Sequence, residues 1–507
     1  MNPFQPGIGL RIGQQLGIGS IGPYPVAVAA VVFVTDPGNG RAGTGLPRGL
    51  AVLDEHRFTL GASELRAQAT AHGAELAALG QRHAARVHRP RLLLAWSERW
   101  RATALAVPPV RPLADAELNA DLAALRDVMK RLDKARSQDH PNASVHSEQL
   151  RLEHEQKRLE GAVRGRALRT PGAAGPGRAV ASVPELLDEL GSGQLAEIVD
   201  VDGTLHVLLC GAGRVRQFTA GRTADAARAA AFSRFALRRL ARNRPGHDLA
   251  SALDILTAAG PKLQAALLGP AARHLGDRPV VIVPPGKLQM IPWGLLPALR
   301  DCVVTVAPSA AAWMRARQVR QPSRRHVILA RGPGLVTDGA EVPVVARLYD
   351  DVTMLADSHA TTAKVLHALD GAWLAHIAAH GVFRADSPLF SSLRMGDGPL
   401  TVYDFEQLHS APYRMVLSSC DSAVGAPAGA DELLGLVSSL LPLGTAGIIA
   451  ALVPLNDHAA VPAMVGLHRH LRAGRTLAES LYSVRYGLSG DPIQRSTAES
   501  LLALGAA

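Results

Sequence analysis

Cysteine is scarce in this chain, and so are aromatic residues. Only three cysteines occur in 507 residues (Cys210, Cys302 and Cys420), and no CxxC pair is among them. An odd, widely spaced set of thiols supports neither a disulfide framework nor a metal knuckle, so a reducing cytoplasm is the expected home. Aromatics make up 4% of the chain, which leaves few stacking platforms for single-stranded nucleic acid. Long apolar runs are missing near the start. The longest there, Val26–Val34, is nine residues, against about 20 for a membrane span. A basic segment followed by a small-residue cleavage site is not evident either, so no secretory signal is expected. The +10 net charge comes mostly from arginines scattered over amphipathic segments. The densest cluster, Phe235 to Arg244, reads as a solvated helix face, and no nucleic acid is expected as a partner.

With 47% apolar and 19% charged residues, the chain can bury more than one core. Residues 1–50 are rich in glycine and proline and read as irregular. Helical spacing then begins, with a first helix starting near Ser63 in a hairpin that ends at RLLLAWSERWRATAL, where Trp96 and Trp100 share a face. Two charged helices, Asp115–Lys134 and Ser147–Arg166, are expected to pack antiparallel. Residues 51–168 thus form a helical adaptor region, 169–180 a linker, and 181–507 the main domain. In that domain an Asp202-Gly203 turn joins two strands of a hairpin. Apolar runs at Val280–Val283, Cys302–Ala307, Val327–Ala330, Trp373–Ala379, Met415–Ser419 and Gly447–Val453 alternate with helices. That alternation predicts a parallel sheet covered on both faces, with functional groups at the carboxyl ends of its strands.

Two of these strands end on reactive side chains. LAHIAAHGVF (374–383) carries His380-Gly381, and RMVLSSCDSA (414–423) carries Cys420-Asp421. A thiol near its ordinary pKa is mostly protonated at neutral pH, and an imidazole beside it can take that proton and return it to a leaving amine. The backbone N–H groups of Gly381 and Cys420 suit an oxyanion hole. Cys210 and Cys302 sit in or beside apolar runs and read as core thiols. His376 and His380 are four apart but read as lying on a strand, not on the helical turn of a zinc motif, and His468 and His470 point about 200° apart on a helix. GxSxG, HExxH and GxxxxGK[ST] are missing, so no metal and no cofactor is expected.

HIAAHGVF, SPLFSSLRMGDGPLTVYDF, MVLSSCDSAVG and DELLGLVSSLLPLGTAGIIAALVPLND, followed by LRAGRTLAESL, together resemble the CHAT domain. This caspase-like peptidase family is related distantly to separase, caspases and gingipains. VVIVPPGKLQMIPWGLLPAL and VAPSAAAW upstream extend the likeness, which covers about residues 185–495. The helices at 56–165 resemble a shortened tetratricopeptide-type region.

The resemblance implies an α/β caspase-like fold with an N-terminal helical region. It makes His380 the general acid/base, Cys420 the nucleophile, and the N–H groups of Gly381 and Cys420 the oxyanion hole. Asp421, Asp431 and Glu432 fall where related peptidases build a specificity pocket, although the Gly429-Ala430-Asp431-Glu432 turn departs from the family's usual form. Asp431 and Glu432 equally suit the N-terminus of a helix Asp431–Leu441. The implied function is a bacterial signalling or defence endopeptidase that cleaves specific proteins, a pore-forming effector among them. A protein partner would activate it through the helices. The alternative is a non-catalytic scaffold of the same fold.

Overall fold

The computed structural model describes residues 73–105, 115–136, 143–169, 182–242, 249–382, 384, 387–418, 426–427, 433–434, 440–488 and 490–506. Four long helices come first: α1 (Ala74–Arg86), α2 (Pro90–Leu105), α3 (Ala116–Arg136) and α4 (Ala143–Arg169). Apolar residues at spacings of three and four give α3 a buried stripe of Leu118, Leu122, Leu125, Val128 and Leu132. Its charged flank meets α4 through Arg131–Glu148, Arg136–Glu153 and Arg166–Asp121, each at 2.7 Å. That pairing order makes the two helices antiparallel, as expected. Trp96 and Trp100 are both buried on one face of α2, in a core shared with the first strands.

After the short α5 (Val183–Leu190) the chain forms an antiparallel meander, β1 (Gln194–Val201), β2 (Thr204–Gly211) and β3 (Arg214–Arg222). Asp202 and Gly203 take positive φ at the first turn, which an Asp-Gly hairpin requires. The helices α6 (Thr223–Arg242) and α7 (Leu249–Leu267) lead to β4 (Val280–Val283), β5 (Val304–Val306) and α8 (Ala310–Gln318). Then come β6 (Val327–Arg331), α9 (Glu341–Ala346), β7 (Val352–Ala356), α10 (Thr362–Leu369) and β8 (Leu374–Ala378). A small sheet, β9 (Gly381–Val382), β10 (Ser392–Met395) and β11 (Gly398–Thr401), precedes the one-turn α11 (Val402–Phe405) and β12 (Arg414–Leu417). The pair β13 (Ala426–Pro427) and β14 (Leu433–Leu434) is followed by β15 (Gly447–Ala451), α12 (Asp457–Arg472), α13 (Leu477–Gly487), α14 (Pro492–Glu499) and β16 (Leu501–Gly505).

Among the described residues one eleven-stranded sheet organises the molecule, in the order β3-β2-β1-β4-β5-β16-β15-β12-β8-β6-β7. The strands β15, β12, β8, β6 and β7 are mutually parallel. At β16 the direction reverses, because β16 pairs antiparallel with β15 and parallel with β5. The sheet is therefore mixed with mostly parallel strands, in keeping with the expected hairpin and parallel-rich sheet. The reversal is carried by the C-terminal LLALG, a short apolar run with no period of its own to announce a strand. Alternate residues serve the two faces: Ala375, Ile377, Met415 and Leu417 join one core, while Leu374, Ala378 and Val416 join the other.

The strand expected at Trp373–Ala379 is β8, Leu374–Ala378, and Gly381–Val382 beyond His380 pair with β10 in the small sheet. One expectation changes. Leu433–Leu434, within the span expected as a helix Asp431–Leu441, pair as a strand with Ala426–Pro427. A short apolar segment satisfies either period, and here backbone pairing decides it. Arg169, the first residue of the expected 169–180 linker, ends α4. Residues 1–50, residues 170–180 of that linker and the first helix expected near Ser63 lie outside the described residues. So do Cys420, Asp421, Asp431 and Glu432.

Candidate active site

Parallel strands of near-uniform apolar sequence bring their exits to one edge, and the polar residues just past them are forced together. Three such exits converge here. β6 runs into Gly332-Pro333-Gly334, β8 into Ala379-His380, and β12 into Ser418. Gly332 N donates to Ala378 O (2.8 Å) and Ser418 N donates to Ile377 O (3.1 Å), which ties the exits to each other. A side chain at Gly332 would not fit: a Cβ there would stand 2.2 Å from Arg394 O and 2.9 Å from Ala379 Cβ.

His380 is half-buried at this edge, with its carbonyl accepting from Arg394 N at 2.8 Å. Its Nε2 lies 2.9 Å from Gly334 O. A carbonyl only accepts, so Nε2 carries the proton and Nδ1 of the neutral ring keeps its lone pair for a thiol or water. Gly381, the proposed oxyanion donor, follows directly at the start of β9. Ser418, two residues before Cys420, lines the same cleft as His380. The structure thus places His380 and Gly381 beside the segment that leads to Cys420, and the described contacts end at Ser418.

The cleft is acidic. Glu341, from the first turn of α9, and Asp457, from the first turn of α12, line it with Leu335, Thr337, Leu455 and Ala460. Asp457 also accepts from Val336 N at 2.8 Å. Burial, with Asp457 adding to it, holds the Glu341 carboxyl above its ordinary range. Sequence reasoning missed both acids. Asp457 closes the PLND of the quoted motif run, which was a usable signal, whereas Glu341 had none.

Below the cleft lies a second group that the sequence did not reveal. His376 on β8 is fully buried and stacks on His468 of α12, with Nδ1 of one 2.8 Å from Nε2 of the other. His376 Nε2 is 3.0 Å from Ser418 Oγ, and Tyr349 Oη is 3.0 Å from His468 Nδ1. Ser418 Oγ in turn donates to Glu341 Oε1 at 3.3 Å. Burial depresses both imidazoles, His376 to about 4. His376 and His380 share a strand in sequence yet serve different places, one in the core and one at the cleft. His468 and His470 do not act together.

The other two thiols are core residues, as expected. Cys210 is buried in β2, where desolvation raises its thiol well above the ordinary range. Cys302 is buried with its Sγ 2.7 Å from Gly276 O. Among the described residues no cluster of three metal-ligating side chains occurs, and no helix is long and apolar enough to cross a membrane.

Residues 247–498 match the family model of the CHAT domain. No curated protein matches the sequence. Two crystal structures of the separase–securin complex of Saccharomyces cerevisiae resemble the chain in their separase fold, at 9% and 8% identity and TM-scores of 0.52 and 0.50. Each alignment covers 92% of this chain and 37% of the separase chain, so the protein spans little more than a third of that relative. The Arg-specific cysteine proteinase gingipain R aligns over 55% of the chain at 14% identity, with a TM-score of 0.34 and 73% of its own length covered. Two lines now agree, the family match and the separase-like sheet with its helical layers: this chain carries a CHAT domain on a caspase-like fold.

Proposed function

We propose that the chain is a cysteine endopeptidase acting through a His380–Cys420 dyad. The observation that carries this reading is the hydrogen bond from His380 Nε2 to Gly334 O, which leaves Nδ1 as the basic nitrogen at the edge where β12 exits toward Cys420. In the cycle, His380 Nδ1 takes the thiol proton and the Cys420 thiolate attacks the peptide carbonyl carbon. The oxyanion is held by the N–H groups of Gly381 and Cys420. His380 then gives its proton to the leaving amine, and water, deprotonated by the same ring, hydrolyses the thioester. No cofactor enters.

The acidic lining from Glu341 and Asp457 supports a substrate with a basic residue before the scissile bond, through a charge-assisted contact. Asp421, Asp431 and Glu432 belong to the same proposed pocket. The setting is signalling or defence in a bacterial cytoplasm, with a specific protein such as a pore-forming effector as substrate.

Regulation through the N-terminal helices, a shortened tetratricopeptide-like adaptor, has support in their contacts. Glu160 of α4 pairs with Arg384 and Arg164 of α4 donates to Ser387 Oγ, both on the segment that follows His380. Lys130 of α3 donates to Gly396 O. Separase, too, was crystallised with a protein partner, securin.

The test labels native protein with limiting iodoacetamide across pH and follows Cys210, Cys302 and Cys420 by mass spectrometry, with a His380→Ala variant alongside. Faster labelling of Cys420 at neutral pH, lost without His380, is the expected result. Equal rates at all three thiols, unchanged by His380→Ala, overturn the reading.

A further inference from the structure

Two buried histidines in an apolar sheet face need a reason. His376 lies between Leu374 and Ala378 on a strand whose neighbours are all core residues, and His468 lies in α12 among Met464, Leu467 and Leu471. A leucine at either position would add burial at no polar cost, whereas an imidazole there must find a partner for each nitrogen. All four ring nitrogens do. The contacts run in single file from Tyr349 through His468, His376 and Ser418 to Glu341.

With both rings neutral, every link must point the same way. In one sense the Tyr349 hydroxyl donates to His468 Nδ1, His468 Nε2–H to His376 Nδ1, His376 Nε2–H to Ser418 Oγ, and the Ser418 hydroxyl to the Glu341 carboxylate. In the other sense a protonated Glu341 donates to Ser418, Ser418 to His376, His376 to His468 and His468 to Tyr349. The proton on Glu341 therefore selects both tautomers and the direction of the Ser418 hydroxyl.

Among the described residues, the file meets the cleft at Ser418 and Glu341. Ser418 has a second anchor, its N–H on Ile377 O, so backbone and side chain are both fixed two residues before Cys420. We propose that His376, acting through Ser418, is a positioning residue: it sets the β12 exit from which the chain continues to Cys420, the proposed partner of His380. The proposal rests on the peptidase reading of Cys420. Groups facing the file are Asp457 and Arg331 at the Glu341 end, and Arg414 and Arg472 at the Tyr349 end.

The test uses the full chain and iodoacetamide, reading the pH midpoint of Cys420 alkylation by mass spectrometry on protein whose fold is checked by circular dichroism. A thiolate held beside His380 titrates below a free thiol, and loosening its seat moves it back. Ser418→Ala and His376→Gln are each expected to raise the midpoint by about one pH unit, toward the free-thiol range near 8.5. The double variant should match either single one, because both cut the same file. Ser418→Thr keeps the hydroxyl and the wild-type midpoint. Tyr349→Phe removes only the terminal hydroxyl, leaves the ring packed, and shifts the midpoint in the same direction, so it decides the matter where a core variant fails to fold. Folded Ser418→Ala or Tyr349→Phe protein with the wild-type midpoint overturns the proposal. A wild-type Cys420 that titrates as an ordinary thiol sinks the peptidase reading first, and this proposal with it.

Discussion

Arg101 and Glu197 make the sharpest test of how the helical and sheet parts are joined. Arg101 on α2 is buried and reaches across to the strand exits. Its Nη1 donates to Pro284 O (2.6 Å) and Pro308 O (3.1 Å), and its Nη2 to Ile198 O (2.9 Å). Its Nε stands 3.3 Å from a Glu197 carboxylate that is 0% exposed. This looks like a buried ion pair, whose rupture costs several kcal/mol, but Glu98 is packed into the same place. Glu98 accepts from Ala310 N (2.8 Å) and Ala311 N (2.9 Å) at the start of α8. Burial first, and Glu98 second, push the Glu197 carboxyl well above its ordinary range, with Arg101 opposing them. One cation thus serves two carboxyls, and burial favours the neutral form of Glu197.

The two ends of this contact should therefore respond differently. Arg101→Met strips a charged donor from three buried carbonyls while keeping an apolar stem in place, for a loss of about 4 kcal/mol. Glu197→Gln replaces a neutral acid by a neutral amide of the same shape and should cost about 1 kcal/mol or less at neutral pH. The sign of the pH effect follows. A raised folded-state pKa gives stability that is complete below the unfolded value near 4.3 and is lost as pH rises through the folded value. Glu197→Gln lacks that loss, so the variant should gain on wild type as pH rises. Urea unfolding followed by circular dichroism at several pH values measures both. If Glu197→Gln costs about 3 kcal/mol or more at neutral pH, Glu197 is an ionised partner of Arg101 and the reasoning fails.

Three further outcomes follow from contacts on the page. Gly332→Ala drives a Cβ into Arg394 O and Ala379 Cβ; it should lower the thermal midpoint and slow labelling of Cys420 in the protein that remains folded, and wild-type values in both would refute the crowding. Arg126→Ala leaves Asp404, buried at 2% exposure, with its Thr401 hydrogen bonds but without the guanidinium 2.9 Å away, a loss of about 3 kcal/mol. Burial already raises Asp404, so the deficit should be smaller in acid than at neutral pH, as paired denaturant titrations would reveal. Cys210, buried with its thiol shifted upward, should resist alkylation in native protein at a pH where a free thiol reacts, and rapid labelling would show that the β1–β2 region opens.

Where local pattern determines structure, the sequence was readable. Asp202-Gly203 announced its hairpin, the heptad-like leucines of α3 announced the antiparallel pair, and apolar runs announced β4, β6, β8, β12 and β15. Elements without such a signature were missed. β3, RVRQFTAGR, is half polar because it is an edge strand with one wet face; β10, β11 and β16 are short runs whose pairing is decided by distant partners. The candidate site divides in the same way. His380-Gly381 is local, a histidine after an apolar strand, and could be named from the sequence. His376 and His468 are 92 residues apart, and only the seating of α12 on the sheet brings them together. Glu341 had no motif at all. The proposed pocket acids Asp421, Asp431 and Glu432 and the nucleophile Cys420 lie outside the described residues.

The helical region does not touch the sheet uniformly, and the difference limits how a partner could work through it. Undocking α2 would expose Leu93, Leu94, Trp96 and Trp100, all now buried in a core shared with α1, β1, β2 and β4. At about 2 kcal/mol for each large side chain, that alone is of the order of 8 kcal/mol, before the Arg101 contacts are counted. Few binding partners supply so large a difference between two states. The α3–α4 pair meets the segment beyond His380 in another way. Glu160–Arg384, Arg164–Ser387 and Lys130–Gly396 O are polar contacts at its margin, and Gly398, at φ +137°, brings β11 against the α3 backbone. Lys130–Gly396 O, an exposed contact, is worth about 1 kcal/mol or less, whereas the buried Arg126–Asp404 pair and the leucine stripe of α3, in one core with Phe390, Leu400 and Tyr403, hold α3–α4 down. Regulation through the helices is therefore expected to act at the polar contacts with the segment beyond His380, with both helical pairs staying docked. Under activating conditions hydrogen exchange should then quicken in β9–β11 and stay unchanged in β1 and β2, and quickening in β1 and β2 would refute this route.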